Sequence, residues 1–247
     1  MKLHYKAAGL SDIGRVREEN QDAFYIDIES GLFMVVDGMG GMQEGALAAK
    51  YVVEGLPSVL TEQINQQGTI QSNSIISSIK EAVAEVSSYL REKVGNNTGA
   101  TFASALVKGG KAYVAHLGDS RAYLLRDGNM EQLTKDHNVA SLLVDMGEIT
   151  ADQAGVHPMR HRLTAYIGMQ DSAVPEIKCI SLEAGDVLLL CTDGLTGMLP
   201  VQEITDILSS GVNLKSVLEK LIDRANEAGG QDNITAVLIN FQERGEG

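Results

Sequence analysis

Between residues 100 and 133 short apolar runs alternate with tight, glycine-rich turns: 100–107 and Gly109-Gly110, 111–117 and Gly118-Asp119-Ser120, 121–126 and Asp127-Gly128, then 130–133. Turns of two or three residues cannot hold a crossover helix, so strands joined this way run antiparallel. The pattern predicts a meander of four strands. It excludes a parallel doubly wound sheet, which needs a helix between successive strands.

The flanking segments extend that picture. Runs at 23–28 and 32–36 predict an opening hairpin that turns at 29–31. Helical spacing follows at 43–56, and again over 74–94, where Ile75, Ile79, Val83, Val86 and Leu90 recur on one face. The polar stretch 61–73 between them predicts a loop. Residues 138–147 predict a helix closed by Gly147, and Thr150-Ala151-Asp152-Gln153 reads as a capping box, so 138–167 is expected to form a helical flap outside the sheets. Strands return at 176–182 and 187–191, helices at 201–209 and 214–228, and a last strand at 234–241. Strand runs followed by paired helices, twice over, predict an α+β fold: a central β-sandwich of two mostly antiparallel sheets flanked by helix pairs, in four layers α-β-β-α. All 247 residues are expected in a single catalytic domain.

With 33 acidic against 20 basic side chains the net charge is −13, and no basic run interrupts it. Nucleic-acid binding, which needs a surface that neutralises phosphates, is excluded as an expectation. No apolar run approaches the ~20 residues of a membrane helix, and the N-terminus has no signal-peptide pattern, so a cytoplasmic protein is expected. Cys179 and Cys191 lie in apolar runs without metal-ligand spacing, and both are expected to be reduced core residues.

Four aspartates occupy one kind of place. Asp37 follows LFMVV, Asp119 follows AHLG, Asp193 follows VLLLCT, and Asp232 precedes the final strand in GGQDNITAVLI. Taken singly, each is a turn residue, as Asp127 in Asp127-Gly128 must be. Taken together, four carboxylates at strand ends converge if their strands are neighbours, and converging carboxylates stay ionised together only around a cation. An all-oxygen ligand set points to Mg²⁺ or Mn²⁺ rather than Zn²⁺ or copper. A carboxylate bridging two such ions sets them about 3.5–4 Å apart and makes a hydroxide available near neutral pH. The segment DIGRVREENQD adds two arginines, Arg15 and Arg17, either of which has the planar fork that matches phosphate oxygens.

The stretches NQDAF (20–24), VVDGMGG (35–41), TGAT (98–101), HLGDSRAY (116–123), LTKDH (133–137), CTDGLT (191–196) and GGQDNIT (229–235) resemble, in order, the motifs of the metal-dependent protein phosphatases of type 2C, bacterial branch. The resemblance implies the same β-sandwich with flanking helix pairs, and a mobile flap at 138–167. It implies that Asp37 bridges two catalytic Mn²⁺ or Mg²⁺ ions, that Gly38 lends a backbone carbonyl to one, and that Asp193 and Asp232 ligate the other. Asp119 with Asp193 would hold a third, weaker ion, and Asp22 would bond a metal-bound water. It selects Arg17 as the phosphate-binding cation. The implied reaction is hydrolysis of phosphoserine and phosphothreonine in proteins by a water activated at the binuclear centre, opposing a Ser/Thr kinase. A monomer is expected.

One departure stands out. Relatives place a histidine at the position of Met39 in eukaryotes, or of Met42 in many bacteria, and this chain has methionine at both. His161, in the HPMRH stretch, which resembles the bacterial flap region, is the candidate replacement donor; the alternatives are that it is a surface or packing histidine and that a metal-bound water gives the proton. A rival reading is a catalytically weak relative acting as a phospho-dependent binding module. A smaller rival is a metal-independent hydrolase with paired carboxylates.

Overall fold

The computed structural model describes residues 3–41, 43–67, 71–95, 98–170, 174–211 and 213–243. Ten strands form two antiparallel five-stranded sheets. The first sheet contains β1 (His4–Asp12), β6 (Arg121–Arg126), β7 (Asn129–Gln132), β9 (Val187–Cys191) and β10 (Ile234–Gln242), in the order β1-β10-β9-β6-β7. The second contains β2 (Asp22–Asp27), β3 (Leu32–Met39), β4 (Gly99–Lys108), β5 (Lys111–Leu117) and β8 (Glu176–Ser181), in the order β2-β3-β4-β5-β8.

The layers follow from the two-residue period of the strands. Along β3, Phe33 and Val35 enter the core between the sheets, while Leu32, Met34 and Val36 pack against α1 (Glu44–Gln67) and α2 (Ser72–Val94). Along β9, Leu188 and Leu190 face the inter-sheet core, and Leu189 and Cys191 face α6 (Val201–Ser210) and α7 (Leu214–Glu227). Three apolar layers thus separate four layers of backbone, the expected α-β-β-α sandwich. At roughly 1.5–3 kcal/mol per fully buried large aliphatic side chain, these layers are the main source of stability.

The structure departs from the sequence reading at several elements. The expected meander is divided: β4 pairs with β5 and β6 with β7, but the chain crosses from one sheet to the other at Gly118-Asp119-Ser120, and β6 pairs with β9. The expected loop 61–73 is mostly helix, because α1 continues through Pro57 to Gln67. Val52, Leu56 and Leu60, spaced four apart, are all buried, and this stripe outweighs the polar composition. Thr61 Oγ1 donates to the Pro57 carbonyl at 2.7 Å on that continuation. Strand β1 has no counterpart in the reading, since its small residues Ala7, Ala8 and Gly9 carry little periodic signal. Cys191 is buried as expected, whereas Cys179 is exposed, on the edge strand β8.

Residues 138–167 leave the sheets as α3 (Val139–Asp145) and the single turn α4 (Ala151–Ala154). Asn138 caps α3 by accepting the Ser141 N–H at 2.9 Å, and the Thr150–Gln153 capping box is present. The excursion is closed at its base, where Val139 N–H donates to Arg162 O at 2.9 Å and Thr164 N–H to His137 O at 2.8 Å. Among the described residues no helix is long and apolar enough to cross a membrane.

Candidate metal centre

Asp37 continues the face of β3 that carries Phe33 and Val35, so its carboxylate emerges at the rim of the inter-sheet core. Its register partners are Asp22 on β2 and Thr101 on β4. Thr192, just past β9 in the opposite sheet, donates its hydroxyl to Asp22 Oδ2 at 2.8 Å, joining the two sheets at this end. Asp193 then opens the short helix α5 (Asp193–Thr196), Asp232 precedes β10, and Asp119 follows β5. Asp37 feels the charges of Asp22, Asp193, Asp119 and Asp232 together, so all four expected rim aspartates do converge, with Asp22 as a fifth.

Electrostatics shows what this convergence costs. Burial pushes the Asp22 carboxyl up to about 7, with Asp193 and Asp232 adding to the rise and the hydroxyls of Thr235 and Thr192 partly offsetting it. Asp119 is pushed up to about 8, first by burial and then by Asp193 and Asp136. Asp37 lies well above the usual carboxylate range for the same reasons, burial first and its four neighbours after. Such a group cannot ionise fully without positive charge between its members.

The residues present fit a divalent cation. Asp193 Oδ1 is buried without a hydrogen-bond partner, the only carboxylate oxygen so stranded among the described residues. The donors are oxygens throughout, the choice of Mg²⁺ and Mn²⁺. Gly38 is packed tightly against the start of α1: a Cβ there would meet the Gly45 carbonyl oxygen at 1.9 Å, so no side chain can stand at that position.

Two further groups reach this rim. Arg17 Nη2 donates to Asp232 Oδ2 at 2.8 Å, and the Arg15 backbone N–H donates to Gly230 O at 2.7 Å. Arg17 is half-exposed and keeps most of its N–H donors free. His161 Nδ1 stands 3.9 Å from Asp193 Oδ2, an ion-pair separation, and the Asp193 carboxylate raises the imidazolium above its ordinary value. A cavity of about 500 Å³ opens between the flap and the rim, lined by Asp119, Asp193, Arg160, His161 and Val144 among others. Met39 ends β3, half-buried, and Met42 lies outside the described residues.

Sequence reasoning missed the residues that hold these groups in place. Besides Thr192, Asn233 accepts the Gln21 N–H at 2.8 Å and donates to Ile13 O at 2.9 Å and Glu19 O at 3.0 Å, fixing both ends of the Arg17 segment. Their neighbours Asp193 and Asp232 were the only available signal.

Comparison with known proteins gives the family. The family profile described as Protein phosphatase 2C matches residues 14–239. The chain belongs to the protein phosphatase 2C family. The protein phosphatase PhpP of Streptococcus pneumoniae is 33% identical over 249 residues, covering 95% of this chain and 96% of that protein. The crystal structure of the Mycobacterium tuberculosis serine/threonine phosphatase PstP/Ppp superposes with a TM-score of 0.85 at 29% identity, over 97% of this chain and 99% of the other. A structure of the PstP catalytic domain in complex with two manganese ions has a TM-score of 0.81 at 27% identity, over 98% of this chain and 100% of the other. The protein phosphatase 2C fold thus accounts for the two sheets and the helices that flank them.

Proposed function

We propose that this protein phosphatase hydrolyses phosphoserine and phosphothreonine in proteins at a binuclear Mn²⁺ or Mg²⁺ centre. The observation that carries the reading is the buried, unpartnered Asp193 Oδ1 among five converging carboxylates. Asp37, Gly38 through its backbone carbonyl, Asp193 and Asp232 would hold the two ions, and Asp119 with Asp193 would hold a weaker third. When bound, such ions supply charge neutralisation and a hydroxide near neutral pH.

The chain's own residues do the rest. Arg17, oriented by Asp232, presents its remaining N–H donors to the phosphate oxygens. Asp22, held by the hydroxyls of Thr192 and Thr235, would orient the attacking water. His161, its imidazolium favoured by Asp193, would deliver a proton to the departing serine or threonine oxygen, which leaves poorly without one. The site is complete within one chain, so a monomer suffices for the reaction, with a single catalytic domain over 1–247 and a flap at 138–167. Substrates of this chemistry are made by a Ser/Thr kinase, whose action the protein reverses in the cytoplasm.

Hydrolysis of an aryl phosphate, with added Mn²⁺, with chelator, and in Asp193→Asn, tests the reading. Activity is expected with Mn²⁺ alone and to fall ~10²-fold or more in chelator and in the variant. Activity unchanged by chelator would overturn the metal mechanism. Phosphopeptide binding without turnover under any metal would favour the binding-module reading.

A further inference from the structure

The LTKDH stretch ends in His137, to which the proposed chemistry gives no role. Its ring stacks on that of His116, centroids 4.6 Å apart at 23°, and Glu176 is the register partner of His116 across β5 and β8. One ligand atom from each of the three lies within 4.8 Å of the others, a spacing that invites a second kind of metal site. The protons argue against it. Gly118 N–H donates to His137 Nδ1 at 3.2 Å, so Nδ1 holds a lone pair and the neutral ring carries its proton on Nε2, 3.3 Å from Glu176 Oε1. A metal on Nε2 would have to displace that proton while Nδ1 still accepts, leaving an imidazolate. His116 could offer only its Nδ1, since its Nε2 faces the Lys135 carbonyl at 2.8 Å, which only an N–H satisfies.

What His137 grips is the turn that carries Asp119. Its backbone N–H donates to Gly118 O at 2.9 Å while its ring accepts from Gly118 N–H, so one residue holds both peptide groups of Gly118. Gly118 has φ +99°, and a Cβ there would meet Thr101 Cβ at 2.4 Å, so the turn is wedged from the β4 side as well. Beyond Asp119, the Ser120 hydroxyl pairs with Thr101 Oγ1 at 2.7 Å, and Arg121 makes two bonds to Asp136 at 2.8 and 2.7 Å. Adjacent residues of one motif, Asp136 and His137, thus hold the turn on both sides of Asp119.

We propose that His137 is a positioning residue for the cation at Asp119: its accepting nitrogen, kept in place by Glu176, sets the Gly118 peptide and so aims the Asp119 carboxylate. The proposal rests on the reading of Asp119 as a ligand of the weaker ion. Mn²⁺ titrated into the full chain, with free Mn²⁺ read by electron paramagnetic resonance, is expected to show a weaker class of sites that Asp119→Asn abolishes. His137→Leu should weaken that class at least ten-fold and leave the tighter sites alone, while His137→Asn, whose Oδ1 can accept the Gly118 N–H, restores most of it. Wild-type Mn²⁺ binding in His137→Leu, or equal loss in both variants, would overturn the proposal. Should His137→Leu fail to fold, ¹⁵N spectra of the wild-type imidazoles decide: His137 protonated on Nε2 is expected, and a proton on Nδ1 overturns the clamp. A weaker class that is missing from the wild type, or survives Asp119→Asn, sinks the ligand reading and the proposal with it, whatever the tautomer.

Discussion

Asp193 has two oxygens with opposite fates, and the difference organises the site. Oδ1 is buried without a protein partner, whereas Oδ2 faces the half-exposed ring of His161 at 3.9 Å. One side of this carboxylate is thus left for the proposed cation, and the other faces His161. Met39 has no proton to give, and it ends β3 where the chain meets the rim. A proton donor matters in proportion to the basicity of the leaving group. His161→Ala is therefore expected to slow a phosphoserine peptide by ~10²-fold while slowing an aryl phosphate, a far better leaving group, by only a few-fold. Steady-state rates on both substrates check this, and equal slowing would remove His161 from the role.

Element by element, legibility followed how local each cause was. Strands β6 and β9 match the expected 121–126 and 187–191 residue for residue, because turn glycines and apolar runs mark them directly. The pairing of β6 with β9 instead of β5 was not legible, since a two-residue period does not say which neighbour a strand will find. The rim aspartates were visible as carboxylates after apolar runs, but their meeting depends on that same pairing. Thr192 and Asn233 stayed hidden because their bonds cross between segments distant in sequence. Helix α1 was cut short for a local reason that tertiary packing overruled: glutamines and asparagine follow Pro57, yet Leu60 is 4% exposed and packs in the layer under α2. Leu60→Ala should accordingly cost about 2–4 kcal/mol, measured by denaturant unfolding, where a surface loop position would cost about 0.5 or less. A value at the low end would mean that the second half of α1 adds little to the fold.

At the scale of the whole molecule, folding gathers five carboxylates of a chain with net charge −13 at one end of a sandwich, offset only in part by Arg17 at Asp232 and by Arg121 near Asp119. The arrangement is unfavourable for the fold alone, and a bound divalent cation reverses the sign. An unfolded aspartate titrates near 4, whereas Asp22 and Asp119 are pushed up to about 7 and about 8. The native chain without metal therefore holds protons that the unfolded chain has already released, and its stability falls as pH rises. The contribution is intact below about 4 and is lost progressively through about 8. Thermal melts in chelator should show Tm decreasing from pH 5 to pH 8, and Asp22→Asn, which removes a charge but keeps an oxygen for Thr192, should flatten that slope. Mn²⁺ binds the native, ionised rim, so at pH 8 a concentration near 100 times its Kd should add about 2.7 kcal/mol, or roughly 5–10 °C in Tm. At pH 5, where protons compete for the same oxygens, the same Mn²⁺ concentration should add markedly less. A Tm in chelator that rises toward pH 8, or an equal Mn²⁺ effect at both pH values, would mean that the aspartates are solvated separately and do not form one cation site.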